Sequence, residues 1–169
     1  MGHIYLVGMM GSGKSSVAQL LAQQLARPAI DLDQEIVTRE GMSINQIFQE
    51  RGETYFRGVE TKVLKTCAAQ TDAVIATGGG IVLLDENFAI MRATGTVFYL
   101  AAPIDELFEH VRGDTTRPLL KQADPKQALR DIFAAREARY KQADHIINTA
   151  GMRPRGIADA IMSVVKGSS

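Results

Sequence analysis

The chain of 169 residues has one cysteine, no tryptophan, five prolines and no net charge. The lone cysteine, Cys67, excludes an intramolecular disulfide and fits a reducing compartment. Its place in a helical run reads as a small buried hydrophobe rather than a catalytic thiol. Basic and acidic residues cancel at 19 each. The chain therefore lacks the basic excess expected of a nucleic-acid or membrane-surface protein, and any affinity for phosphate must come from local placement of arginines. No apolar run approaches the ~20 residues that span a bilayer. The three histidines, His3, His110 and His145, lie far apart, without metal-ligand spacing. No linker, repeat or low-complexity tract divides the sequence. The expectation is one domain over 1–169, working in the cytoplasm, with no nucleic-acid or membrane partner. A hydrophobic content of 46% supplies its core.

Against these absences stands one dense motif. Gly8-Met9-Met10-Gly11-Ser12-Gly13-Lys14-Ser15 matches the phosphate-binding pattern G-x-x-x-x-G-K-[ST]. A short apolar run, His3 to Val7, precedes it. Helical spacing through Val17, Leu20, Leu21 and Leu25 follows it. Strand, glycine loop and helix form the context in which backbone N–H groups and a helix N-terminus hold phosphates. The motif begins so early that the N-terminus reads as structural, without a leader. Gly11, Ser12, Gly13, Lys14, Ser15 and Ser16 are the candidate nucleotide-phosphate contacts. Lys14 is placed to reach the β- and γ-phosphates, and the Ser15 hydroxyl to ligate Mg²⁺.

Further apolar runs end at Asp31, lead from Ala73 into Thr77-Gly78-Gly79-Gly80, span Val97 to Leu100, and comprise Ile146-Ile147. Helical segments separate them, which predicts an α/β fold with a parallel sheet covered on both faces. Ligands in such sheets bind at the carboxyl ends of strands, where Gly8, Asp31, Asp33 and the triple glycine fall. A helical region over about 33–69 is broken at Gly41 and Gly52, and Ser43 with Gln46 has the pattern of a capping box. Arg57 and Glu60 share a helix face, and spacing alone reads them as a solvated pair. Apolar periodicity fails over about 112–125, a loop of lid length. A helix from Lys126 to Gln142, a polar loop from Thr149 to Arg155 and a helix from Ile157 to Val165 complete the expectation.

Phosphoryl transfer needs a held triphosphate, a positioned acceptor and positive charge on the moving group. Asp31 stands where a metal-associated carboxylate is needed. Asp33 lies beyond it, toward an acceptor. Arginines such as Arg57 and Arg136 grip carboxylates in bidentate fashion.

Taken in order along nearly the whole chain, these elements resemble the shikimate kinase family of P-loop, nucleoside-monophosphate-kinase-like proteins. The family's D-[TS]-D corresponds to Asp31-Leu32-Asp33, and its acidic-x-x-F-R-x-x-E to Glu53 through Glu60. Its triple glycine is Gly78-Gly79-Gly80, its lid signature Arg117-Pro118-Leu119-Leu120, its R-x-x-x-Y Arg136 through Tyr140, and its late proline Pro154. The resemblance implies a three-layer α-β-α fold with a five-stranded parallel sheet and a lid, and a monomer. It implies ATP and shikimate as substrates, a single Mg²⁺ ion, and transfer of the γ-phosphoryl group to the 3-hydroxyl of shikimate in aromatic amino-acid biosynthesis. In these terms Lys14, Asp33 and Arg117 are catalytic, and Ser15 and Asp31 hold the metal. Asp33, Arg57, Gly78, Gly79, Gly80 and Arg136 bind the acceptor, with Glu60 supporting Arg57. Arg117 contacts the transferring phosphate, and Arg153 flanks the adenine. The chain departs from the family at Leu32, at Ala138-Arg139, and at His110, where many relatives carry an adenine-stacking arginine. A gluconate-kinase-like enzyme of the same fold, or a catalytically inactive relative, is the competing reading. Retention of Lys14, Asp33, Arg57, Arg117 and Arg136 weighs against the inactive one.

Overall fold

In a computed structural model of the protein, residues 2–113 and 123–167 are described. The element order is β1 (His3–Val7), α1 (Lys14–Leu25), β2 (Ala29–Asp31), α2 (Leu32–Glu40), α3 (Ile44–Arg51), α4 (Glu53–Ala68) and β3 (Val74–Ala76). A 3₁₀ turn (Ile81–Leu83) follows, then α5 (Asp85–Thr94), β4 (Gly95–Ala101), α6 (Ile104–Val111), α7 (Pro125–Tyr140), β5 (His145–Asn148) and α8 (Pro154–Gly167). The five strands are all parallel, in the order β2-β3-β1-β4-β5. This is an α/β architecture, a parallel sheet with helices on both faces.

The central strands β1, β3 and β4 are largely apolar because both faces are covered. Successive side chains point to opposite sides. Ile4, Leu6, Val74, Ala76, Phe98 and Leu100 enter a core with α1 and α8, whereas Tyr5, Val7, Ile75, Val97 and Tyr99 enter the core under α2 to α7. Each fully buried Leu, Ile or Val contributes about 1.5–3 kcal/mol. The edge strands β2 and β5 are short and partly exposed. Short edges offer little template for pairing with another chain. His3 closes the start of β1: its Nδ1 accepts the Ala73 N–H at 3.0 Å, and its Nε2–H donates to the Ala68 carbonyl at 3.0 Å. Cys67 is buried in α4, and that burial pushes its thiol pKa up. No helix among the described residues is long and apolar enough to cross a membrane.

The helix boundaries follow local chemistry. Gly41 terminates α2 in the left-handed conformation, and Ser43 and Gln46 form the capping box at α3, with bonds of 3.1 and 2.9 Å. Two sequence boundaries need correction. Pro154 and Arg155 lie in α8 rather than in the preceding loop, and Pro125 is the first residue of α7. Proline's fixed φ suits the first helical position, where its missing N–H costs nothing. Asp124 caps α7 by accepting the Gln127 N–H at 3.1 Å. Of the expected lid, residues 114–122 fall outside the described residues.

Candidate active site

The phosphate loop leaves the buried end of β1 and enters α1 through Gly13, with no side chain capping the helix. The first-turn N–H groups are therefore available to an anion, and the helix dipole favours one there. A cavity of about 330 Å³ opens at this point. Its donor side is lined by Met10, Gly11, Gly13, Lys14, Ser15 and Ser16; its other side by Asp31, Asp33, Thr77, Gly78 and Gly79. The loop after β1 and the residues after β2 and β3 thus share one space, because these strands are adjacent and parallel. Lys14 donates to the Gly8 and Met9 carbonyls at 2.6 and 3.0 Å. Ser12 Oγ is buried without a hydrogen-bond partner among the described residues. Buried hydroxyls are costly unpaired, and a phosphate oxygen would supply what Ser12 lacks.

The metal expectation rests on Ser15 and Asp31. Ser15 Oγ donates to Asp31 Oδ2 at 2.7 Å, while Asp31 Oδ1 accepts the Gln34 N–H and caps α2. The carboxylate is thereby held in one orientation. A hydroxyl and a carboxylate beside a phosphate site fit Mg²⁺, which keeps several waters and takes few protein ligands. Among the described residues no group of three or more His, Cys, Asp or Glu side chains gathers to cage a metal.

The acceptor side is built around the triple glycine. Arg57 and Glu60 pair at 3.0 Å, and Glu60 is only 1% exposed. This is a buried pair, not the solvated one that spacing alone suggests. Burial raises the Glu60 pKa, and the Arg57 charge opposes the rise. Arg57 Nη2 also meets the exposed Glu53 at 3.4 Å, while its Nε is buried with no partner among the described residues. A Cβ on Gly80 would collide with the Arg57 guanidinium. On Gly78 it would stand 2.9 Å from Asp33 Oδ1 and 3.1 Å from Glu60 Oε2. Arg136 Nη1 lies 3.2 Å from the corresponding point on Gly79. Each glycine therefore lets one expected acceptor residue approach the backbone, which is why side chains are missing there.

Around this turn, Thr61 Oγ1 bonds Asn87 Oδ1 at 2.8 Å, and Asn87 Nδ2 donates to the Ile81 carbonyl at 2.9 Å. Tyr140 Oη donates to the Gly79 carbonyl at 2.5 Å, and Arg139 to the Val82 carbonyl at 3.2 Å. Sequence reasoning missed Asn87, Arg139 and the Tyr140 contact. Only Tyr140 carried a signal, its place in R-x-x-x-Y, and that did not reveal what its hydroxyl touches.

Lys14, Ser15, Asp31, Asp33, Arg57, Gly78, Gly79, Gly80 and Arg136 thus lie around the cavity and its glycine turn. Arg117, with the rest of its signature, lies outside the described residues. Arg153 is exposed just ahead of α8 and does not line the cavity. Its loop is drawn alongside α6 by the Gly151 N–H, which donates to Glu106 at 2.7 Å. His110 Nδ1 donates to the Gly11 carbonyl at 2.7 Å, and Arg112 pairs with Glu109 at 3.2 Å. His110 is therefore engaged with the phosphate loop itself.

A model of the shikimate kinase family matches residues 10–166. A shikimate kinase of Persephonella marina is 41% identical over 166 residues, 98% of this chain and 100% of that protein. One of Nitrosospira multiformis is 41% identical over 169 residues, 99% of this chain and 87% of that protein. The shikimate kinase of Acinetobacter baumannii, solved in complex with shikimate, superposes with a TM-score of 0.96 at 35% identity, covering 100% of this chain and 95% of that one. That of Aquifex aeolicus gives 0.86 at 36% identity, covering 98% and 97%.

Proposed function

Because the chain belongs to the shikimate kinase family, we propose that it transfers the γ-phosphoryl group of ATP to the 3-hydroxyl of shikimate, yielding shikimate 3-phosphate and ADP. It is an ATP-dependent kinase. The observation that carries the acceptor assignment is the convergence of Asp33, Arg57, Glu60 and Arg136 on Gly78 to Gly80, at the edge of the phosphate-loop cavity.

In this reading α1 and its loop hold the triphosphate through backbone N–H groups. Lys14 exchanges carbonyl bonds for β- and γ-phosphate oxygens. Arg57 and Arg136 grip the shikimate carboxylate, which turns the hydroxyl toward Asp33. The hydroxyl oxygen bonds to the γ-phosphorus as the bond to the departing ADP oxygen breaks, and Asp33 orients or accepts the hydroxyl proton. The loose transition state makes catalysis mainly positioning and electrostatics. Ser15 and Asp31 would hold a single Mg²⁺, which when bound neutralises charge between the β- and γ-phosphates. Arg117 is assigned the transferring phosphate and Arg153 the adenine edge on the family resemblance. The reading also includes a monomer and a cytoplasmic setting.

A coupled ADP-release assay tests the function. Shikimate should support turnover where gluconate does not; turnover on gluconate alone would replace the acceptor assignment. Gly80→Ala tests the pocket. Its methyl group would displace the Arg57 guanidinium, an overpacking worth about 1–3 kcal/mol. The shikimate KM should rise about tenfold while the ATP KM stays within about twofold. A normal shikimate KM would show that Arg57 does not need this approach.

A further inference from the structure

The last turn of α7 holds a second group aimed at the glycine turn. Tyr140 is fully buried, and its ring stacks on Tyr99 with centroids 5.0 Å apart and planes 18° apart. The stack fixes where the phenol oxygen sits. That oxygen donates to the Gly79 carbonyl at 2.5 Å and lies 3.6 Å from Met9 Sδ in the phosphate loop. Arg136 lies one helical turn earlier on α7, and its Nη1 comes within 3.2 Å of the point a Cβ on Gly79 would occupy. Burial raises the Tyr140 pKa above its ordinary value of 10.0 although Arg136 opposes the rise, so the phenol keeps its proton and serves as a donor at neutral pH.

Gly79 occupies a narrow strip between the two halves of the site. A Cβ placed on it would be 3.2 Å from Arg136 Nη1 on one side, and 3.7 Å from both Gly8 O and Met10 N on the other. The far end of the turn is anchored separately. Asn87 holds the Ile81 carbonyl at 2.9 Å, and Arg139 holds the Val82 carbonyl at 3.2 Å and Asp85 at 2.9 Å. Loss of the Tyr140 hydroxyl would therefore loosen Gly79 without releasing the segment beyond it.

We propose that Tyr140 is a positioning residue of the acceptor site: its hydroxyl fixes the Gly79 backbone against Arg136, and so sets where the acceptor carboxylate is held relative to the phosphate loop. The proposal rests on the kinase reading above. It gives Tyr140 a role through Gly79 and Arg136, without contact with the reacting atoms.

Tyr140→Phe is the test, because it removes one oxygen and keeps the ring stack. Steady-state kinetics on the full chain should show the shikimate KM raised about tenfold, roughly the loss of one buried hydrogen bond. The ATP KM should stay within about twofold. A merely structural role would instead lower the thermal midpoint while moving neither KM, or shift both together; either outcome overturns the assignment. If the unaltered protein turned over shikimate normally and Tyr140→Phe matched it, only the Tyr140 role would fall. If the unaltered protein failed on shikimate, the kinase reading would fall and this proposal with it.

Discussion

Asp33→Asn is expected to lower kcat on shikimate by about 10²–10⁴-fold, the range over which positioned proton-transfer groups act, with the ATP KM within about twofold of normal. Asp33 sits in the first turn of α2, beyond the metal-side Asp31, and lines the cavity opposite the phosphate loop. Its Oδ1 reaches close enough to Gly78 that a Cβ there would stand 2.9 Å away. Asparagine has the same shape and retains a carbonyl acceptor, so the acceptor hydroxyl can still be met. What it lacks is the negative charge and the basic oxygen. A loss confined to kcat therefore isolates proton handling or charge from simple packing. Near-normal turnover in single-turnover and steady-state assays would remove Asp33 from the chemistry.

The donor half of the site was legible because its motif is contiguous. A run of eight residues, Gly8 to Ser15, carries both the backbone shape and the cation, and needs only the β1–α1 context that local periodicity supplies. The acceptor half was legible only through a resemblance spanning distant segments. Asp33, Arg57, Gly79 and Arg136 come from four separate places in the chain, and hydrophobic patterning cannot say that the loops after β1 and β3 are neighbours. That follows from the strand order, in which β3 lies between β2 and β1. The Arg57–Glu60 pair shows the limit plainly. Its i, i+3 spacing fits an exposed pair, and only the packing of α4 under the glycine turn makes Glu60 buried. Asn87, Arg139 and Tyr140 act on backbone carbonyls, which leave no mark in the side-chain pattern. At the helix ends, apolar periodicity starts only after the first turn, so it cannot show that Pro125 and Pro154 open α7 and α8.

Arg57→Ala is expected to do two separable things. It should raise the shikimate KM by about 10- to 150-fold, the equivalent of about 1.5–3 kcal/mol for a lost charged hydrogen bond. It should also destabilise the fold, because Glu60 would remain buried without its cation, and breaking such a pair costs about 3–5 kcal/mol. The exposed Glu53 contact, at 3.4 Å with that carboxylate side chain 64% exposed, adds little to either effect. The second effect depends on pH. Burial already holds the Glu60 pKa above its ordinary 4.5, and Arg57 is the main influence pulling it down. Without Arg57 the value rises further. A carboxyl with a raised folded pKa contributes stability that is fully present below its ordinary pKa and is lost as pH rises through the raised value. The deficit of Arg57→Ala should accordingly be small near pH 4.5 and grow toward neutrality. Adding Glu60→Gln, which cannot ionise, should recover much of the lost stability and flatten its pH dependence. The shikimate KM should stay high, because the carboxylate grip is still missing. Thermal unfolding across that pH range and shikimate kinetics on both variants separate the two effects. A pH-independent deficit would show that Glu60 ionisation is not its source, and an unchanged KM in either variant would move the acceptor pocket away from Arg57.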